Sequence, residues 1–156
     1  MFTIKKAAFC FFTILLFGSL VSCDQVSGEM KMEKIISEYI QFQKDMGKIG
    51  GEECLKIIPD VFSADIVKIT DGHKHATGHT GLEKHCMELR NLYSTWHVNV
   101  KSQVVSDDKK SATIIYEITT DKAGVFEVVA FLKFTEDRKI QEINESYYQL
   151  EINQQD

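Results

Sequence analysis

The pattern of apolar and polar positions changes period about two-thirds of the way along the chain. Met32, Ile35, Ile36, Tyr39, Phe42, Met46 and Ile49 recur three or four residues apart. That spacing places them on one helix face and predicts an amphipathic helix of about five turns. Gly47, Gly50 and Gly51 are its expected end. Residues 52–58 read as a second, short helix, with Glu52 and Glu53 at its positive pole and Pro59 as its stop. A short strand over residues 66–70, a turn at Asp71 and Gly72, and a partner strand over residues 73–77 follow. Thr80, with Glu83 three residues on, reads as the capping box of a third helix, running from Gly81 to about Leu92 with Leu82, Cys86, Leu89 and Tyr93 on one stripe.

Beyond Tyr93 the period falls to two. Trp96, Val98, Val100 and Val104 alternate with polar residues, as do Ala112, Ile114, Tyr116 and Ile118 after a charged turn at residues 107–110. Residues 125–134 are nearly all apolar and predict a central strand covered on both faces. A last long strand is expected over residues 140–152. Helices first and a strand meander afterwards make an α+β domain. Long neighbouring strands twist and curl, so three helices on one face of such a sheet would enclose a cone with an apolar interior.

Residues 1–22 are different in kind. Lys5 and Lys6 precede an uncharged run through Phe9, Phe11, Phe12, Leu15, Leu16 and Leu20 that stops at Asp24. The run is shorter than the roughly 20 apolar residues of a bilayer span and has the shape of an export signal. Its end, Leu20, Val21, Ser22 and Cys23, resembles the lipobox of bacterial lipoproteins. The resemblance implies cleavage before Cys23 and acylation of Cys23 by several chains, since one chain alone binds a membrane only marginally. The expected organisation is therefore a signal peptide at 1–22, a lipidated tether at 23–29 and a folded domain at 30–156. The expected location is the bacterial cell envelope, facing the periplasm or the exterior, with Asp24 resembling an inner-membrane retention signal.

Charge and cysteines sharpen this. Removing residues 1–22 takes away two lysines and moves the net charge from −5 to −7. An acidic domain with no basic stripe argues against nucleic acid as a partner and against electrostatic docking on anionic lipid. Cys54 and Cys86 would then be the two remaining thiols. Outside the cytoplasm they can pair, or they can serve as small apolar residues.

The order of elements, with Phe62, Ser63, Ala64, Asp65 and Ile66 before the first strand, Gly78 to Leu82 at the start of the third helix, and the ending from Lys139 to Tyr148, resembles the nuclear transport factor 2-like superfamily in its SnoaL-like branch. The resemblance runs from Met32 to Ile152. It implies three N-terminal helices packed on a strongly curved, mostly antiparallel sheet, a cavity between them, and homodimers formed through the sheet. It implies no single activity, because this fold carries isomerases, cyclases, dehydratases and inert binding domains alike.

Candidate chemistry is sparse. Asp65 at the mouth of the first strand and His75 are the candidate general bases for an isomerase, cyclase or hydrolase, a reaction that needs a carboxylate or imidazole in an apolar pocket. Tyr39, Trp96, Tyr116, Asn144 and Tyr147 are the candidate pocket lining. His73, His75, His79 and His85 fall in one stretch and could converge on a metal, but a loop-rich, charged surface explains them as well, and no metal site is assigned. No phosphate loop and no Gly-rich dinucleotide fingerprint occurs, so no cofactor is expected. The reading favours a membrane-anchored module that holds a small apolar ligand or a partner protein without catalysis, with the SnoaL-like enzyme as its alternative. A buried, convergent Asp–His or Tyr–Asp set would reverse that order and favour the enzyme.

Overall fold

A computed structural model describes residues 23–150, with side chains from Met32 onward. The expected signal peptide at 1–22 and the last residues, 151–156, lie outside the described residues. Helix α1 (Cys23–Met46) is followed by a 3₁₀ segment (Gly51–Ile57), a single helical turn α2 (Ile58–Val61), strands β1 (Phe62–Thr70) and β2 (His73–Thr77), helix α3 (Gly78–Leu92), and strands β3 (Trp96–Val105), β4 (Ser111–Thr120), β5 (Gly124–Phe134) and β6 (Ile140–Gln149). The segment 23–29, expected as a tether, forms the first turns of α1, whose opening residue is Cys23.

The six strands form one sheet in the order β2-β1-β6-β5-β4-β3. Every neighbouring pair is antiparallel except β1 with β6, which run parallel. The helices cover one face and build the core. From α1, Met32, Ile36, Tyr39, Phe42 and Met46 are buried, and they meet Phe62 and Ile66 of β1, Tyr116 of β4 and Val128, Ala130 and Leu132 of β5. Ile49, expected on the same stripe, is 91% exposed because the helix ends at Met46.

Three local expectations are corrected. Pro59 does not stop a helix. It stands in the first turn of α2, where its missing N–H has no helical partner to lose. Helix α3 begins at Gly78 and not at Gly81, and its N-cap Thr77 makes no side-chain cap. Strand β5 is covered on one face only: Val128, Ala130, Leu132 and Phe134 are buried, whereas Glu127 and Lys133 are exposed and Val129 and Phe131 half-buried on the outer face. A register shift in β3 between Val100 and Ser102 explains a fourth departure. The extra residue reverses the alternation, turning Val104 outward and Val105 inward.

Specific contacts hold the β1–β2 hairpin and the end of α1 in place. Asp71 and Gly72 both have positive φ (49° and 78°) and make the tight β1–β2 hairpin. The hairpin is tied to β6, because Asp71 N–H donates to the Glu145 carbonyl (2.8 Å) and the Asp71 carboxylate accepts from Tyr147 N–H (3.1 Å). At the other end, Gly47 lies against Trp96, whose N–H donates to the Gly47 carbonyl (3.0 Å). A Cβ on Gly47 would come within 2.2 Å of the Trp96 carbonyl oxygen. The Arg90 guanidinium donates to the carbonyls of Met46 (2.5 Å) and Lys48 (2.8 Å), satisfying the open C-terminal end of α1.

Candidate functional site

Period-two alternation puts Ile143, Glu145 and Tyr147 of β6 on the inner face of the sheet, and Ile66 and Lys68 of β1 beside them. Two charged side chains are thereby carried into the core. Glu145 is fully buried and Lys68 is 5% exposed, and they form an ion pair with each other. The carboxylate has further donors. Tyr39 from α1 (2.5 Å) and Tyr116 from β4 (3.0 Å) donate to Oε1, and Tyr147 (2.8 Å) donates to Oε2. A carboxylate offers about four acceptor positions, and three hydroxyls and one ammonium occupy them here.

The electrostatics follow from that count. Burial pushes the Glu145 carboxyl up, but the charge and hydrogen bond of Lys68 and the hydroxyls of Tyr39 and Tyr147 outweigh it, so the group sits below the ordinary carboxylate range. Burial, and then the Glu145 charge, raise all three phenols well above the usual tyrosine value. Glu145 therefore stays ionised and the tyrosines stay protonated across the physiological range.

Above this network lies an open cavity of about 300 Å³. Leu89 of α3, Tyr93 just past its end, Trp96 of β3, Ile118 of β4, Phe126 of β5 and Tyr147 give it a largely apolar wall, and Gln43, Thr70, Asp71, His75 and His85 supply polar groups. A smaller chamber of about 30 Å³ shares Gln43, His85, Leu89, Trp96 and Tyr147 with it and reaches Lys68 and Glu145. The Trp96 indole N–H is spent on the Gln43 carbonyl (3.0 Å), which leaves the ring face as its contribution to the wall. The imidazoles of His75 and His85 lie side by side, ring centres 5.2 Å apart. Burial, then the Lys68 charge, then His75 hold His85 below the ordinary imidazole range, against the opposing pull of Glu145 and Glu88.

The residues singled out from sequence divide sharply. His75, Trp96 and Tyr147 line the cavity. Tyr39 and Tyr116 face inward but are buried beneath it as ligands of Glu145. Asn144 alternates with Ile143 and Glu145 and so stands on the outer face of the sheet, which corrects its place in the pocket. Asp65 is corrected as well. It is exposed on an irregular stretch of β1, where it accepts a hydrogen bond from Gln141 (3.1 Å), away from the cavity lining. His79 is diverted from the other histidines by a hydrogen bond with the Phe62 carbonyl (3.0 Å), and His73 is exposed. Among the described residues no group of three or more His, Cys, Asp or Glu side chains is placed to hold a metal ion. Cys54 and Cys86 are free thiols. The Cys23 side chain lies outside the described side chains.

Sequence reasoning missed Lys68 and Glu145. A signal was present: each is a charged residue in phase with the inward apolar positions of its strand, Lys68 two residues after Ile66 and Glu145 between Ile143 and Tyr147.

A six-stranded curved sheet closed by helices, with a cavity opening between them, has known counterparts. A protein of the SnoaL-like isomerase family from Agrobacterium tumefaciens superposes with a TM-score of 0.62, covering 77% of this chain and 99% of its own at 7% identity. The chain has the cone fold of the nuclear transport factor 2-like, SnoaL-like proteins. A protein from Jannaschia sp. CCS1 that carries the name of a SnoaL-like polyketide cyclase gives 0.63 over 76% of this chain and 85% of its own, at 8% identity. A nuclear transport factor 2-like protein of unknown function from Exiguobacterium sp. 255-15 gives 0.60 over 74% and 99%, at 11% identity. Identities this low establish a shared cone and nothing of its chemistry. No family model matches the chain, and no curated protein matches it in sequence.

Proposed function

We propose that this protein is a lipid-anchored, envelope-facing binding module whose cone holds one small, largely apolar ligand without transforming it. The observation that carries the reading is the saturation of Glu145. It is the carboxylate enclosed beneath the cavity, and every acceptor position on it is already filled. A general base must have a lone pair within reach of the substrate proton. Glu145 has none to offer, and the other carboxylate considered, Asp65, is outside. The convergent tyrosine and carboxylate set is thus a structural plug at the floor of the cone. The wall above it suits an apolar ligand.

The test uses Trp96, the one tryptophan of the chain, as a reporter inside the cavity. Titration with the neutral probe N-phenyl-1-naphthylamine is expected to quench Trp96 and to saturate at one probe per chain. Ile118→Trp, which fills the cavity and is followed by the probe's own emission because it adds a second tryptophan, is expected to abolish binding. Unsaturable binding, or binding undiminished in the filled variant, refutes the proposal. The anchor is tested separately: Cys23→Ser is expected to abolish acyl labelling and to accumulate uncut precursor, and normal processing in that variant removes the lipoprotein part. The half-buried Val129 and Phe131 on the outer sheet face support a homodimer through the sheet, which sedimentation would report as a mass twice that of the chain.

One observation favours a second reading. His85 is a neutral imidazole beside His75 on the cavity wall, and a neutral imidazole can accept a proton. The SnoaL-like alternative therefore rests on these histidines and not on Asp65. Turnover of a polyketide-like ester or epoxide that is lost in both His75→Gln and His85→Gln would establish it over pure binding.

A further inference from the structure

The ion pair under the cavity is unevenly satisfied. The carboxylate of Glu145 has four donors, three of them neutral hydroxyls. The Lys68 ammonium has three N–H groups, and among the described residues its partner is Glu145 alone. Lys68 is 5% exposed, so its remaining N–H groups cannot turn to bulk water. Lys68 lines the inner chamber of about 30 Å³, which has room for a water or for the oxygens of a ligand head group. A buried donor without an acceptor is costly, and a buried charged one more so. Lys68, Glu145 and His85 all line the chamber, and His85 lies close enough to Lys68 for that charge to help hold its imidazole neutral; because the Glu145 oxygens are filled by the tyrosines and Lys68, the donors left over on the chamber wall are those of Lys68.

We infer that the ligand is an amphipathic carboxylic acid, held with its carboxylate in the inner chamber against Lys68 and His85 and its apolar body against Leu89, Ile118 and Phe126 in the outer cavity. This rests on the binding reading above and adds the chemical class of what is bound. The two spaces share Leu89, Trp96 and Tyr147 in their walls, which gives the head and the body of one molecule adjoining places. Asp71, exposed on the hairpin, lines the outer cavity and opposes an anion there, which places the acid head at the Lys68 end.

The experiment compares three probes with the same tail: octanoate, octanol and octyltrimethylammonium, each below its micelle concentration, titrated against Trp96 fluorescence and checked by calorimetry. Octanoate is expected to bind at least about tenfold more tightly than octanol, and octyltrimethylammonium most weakly. The double variant Lys68→Met/Glu145→Gln removes both charges while leaving an amide oxygen for Tyr39 and Tyr116. It is expected to erase the difference between octanoate and octanol. His85→Gln, which leaves the ion pair intact, is expected to reduce that difference severalfold. Equal affinity for octanoate and octanol in the natural protein means that the chamber holds water only and overturns the inference while the binding reading stands. Tightest binding of octyltrimethylammonium overturns it in favour of a site for cations at Asp71. Failure of all three probes to bind removes the binding reading together with the inference.

Discussion

Lys68→Met isolates the energetics of the buried network. In the natural protein the ammonium and the carboxylate neutralise each other under α1, with Lys68 5% exposed and Glu145 fully buried. Removing the lysine leaves a buried carboxylate supported by three phenol hydroxyls. Breaking such a pair from one side costs about 3–5 kcal/mol. At this chain length each kcal/mol lowers Tm by roughly 3–4 °C, so the variant should melt about 10–20 °C lower. The sign of its pH dependence is the sharper test. In the natural protein Glu145 titrates below its unfolded value, so its contribution is present above about pH 4.5 and is lost on acidification below that. Burial is the largest single influence on this carboxyl and raises it; Lys68 is the next and lowers it. Without Lys68 only the tyrosine hydrogen bonds oppose burial, and the prediction is that burial prevails and carries the folded value above the unfolded one. Stability is then highest when Glu145 is protonated and falls as the pH rises from about 4.5 toward neutrality. Urea denaturation followed by Trp96 fluorescence at pH 5.0 and pH 7.5 measures this. The variant is expected to be more stable at pH 5.0 than at pH 7.5, whereas the natural protein should not gain on acidification over that interval. A variant within about 1 kcal/mol of the natural protein, with the same acid response, would show that the pair is not as buried or as coupled as its geometry states.

The tyrosines predict the alkaline limb. All three phenols are raised, so their contribution is full below about pH 10 and is lost above it, the slope approaching about 4 kcal/mol per pH unit for three withheld ionisations. Tyr116→Phe should cut that slope by roughly a third, as read from urea midpoints between pH 9.5 and 11. Gly47→Ala brings a methyl within 2.2 Å of the Trp96 carbonyl and should cost about 1–3 kcal/mol, with a shifted Trp96 emission as the independent sign that the cavity wall has moved. The thiols of Cys54 and Cys86, pushed up to about 11 and about 12 first by burial, should react with a disulfide reagent at pH 8 far more slowly than cysteine in the urea-unfolded chain. Prompt reaction of both in the folded protein would contradict the burial assigned to them.

Much of the architecture was carried by local pattern. The stripe from Met32 to Met46 specifies α1, and the period-two runs after Trp96 specify the meander, because a side chain's direction within a helix or strand depends only on residue spacing. Boundaries that depend on capping were less legible. Thr80 and Glu83 offered a capping box, yet packing against β1 and β2 starts α3 at Gly78. The single shift in β3 that turns Val104 outward is invisible to a period count, since it arises from pairing with β4.

The site was legible only in fragments. Trp96, Tyr147 and His75 could be picked out as candidates, but their roles could not, because alternation says which face a residue takes and not what waits across it. Whether Tyr116 would line a pocket or hold up a carboxylate was settled by where Glu145 arrives, and that depends on β6 being inserted parallel to β1. That pairing joins strands distant in sequence, so no window along the chain contains it. The sequence by itself determined which elements form, in what order, and which of their faces are apolar. The tertiary structure alone decided that Lys68 and Glu145 meet beneath α1, that Asp65 and Asn144 turn away from the cavity, and that the space above the pair remains open, since each depends on the packing of segments that share no local physics.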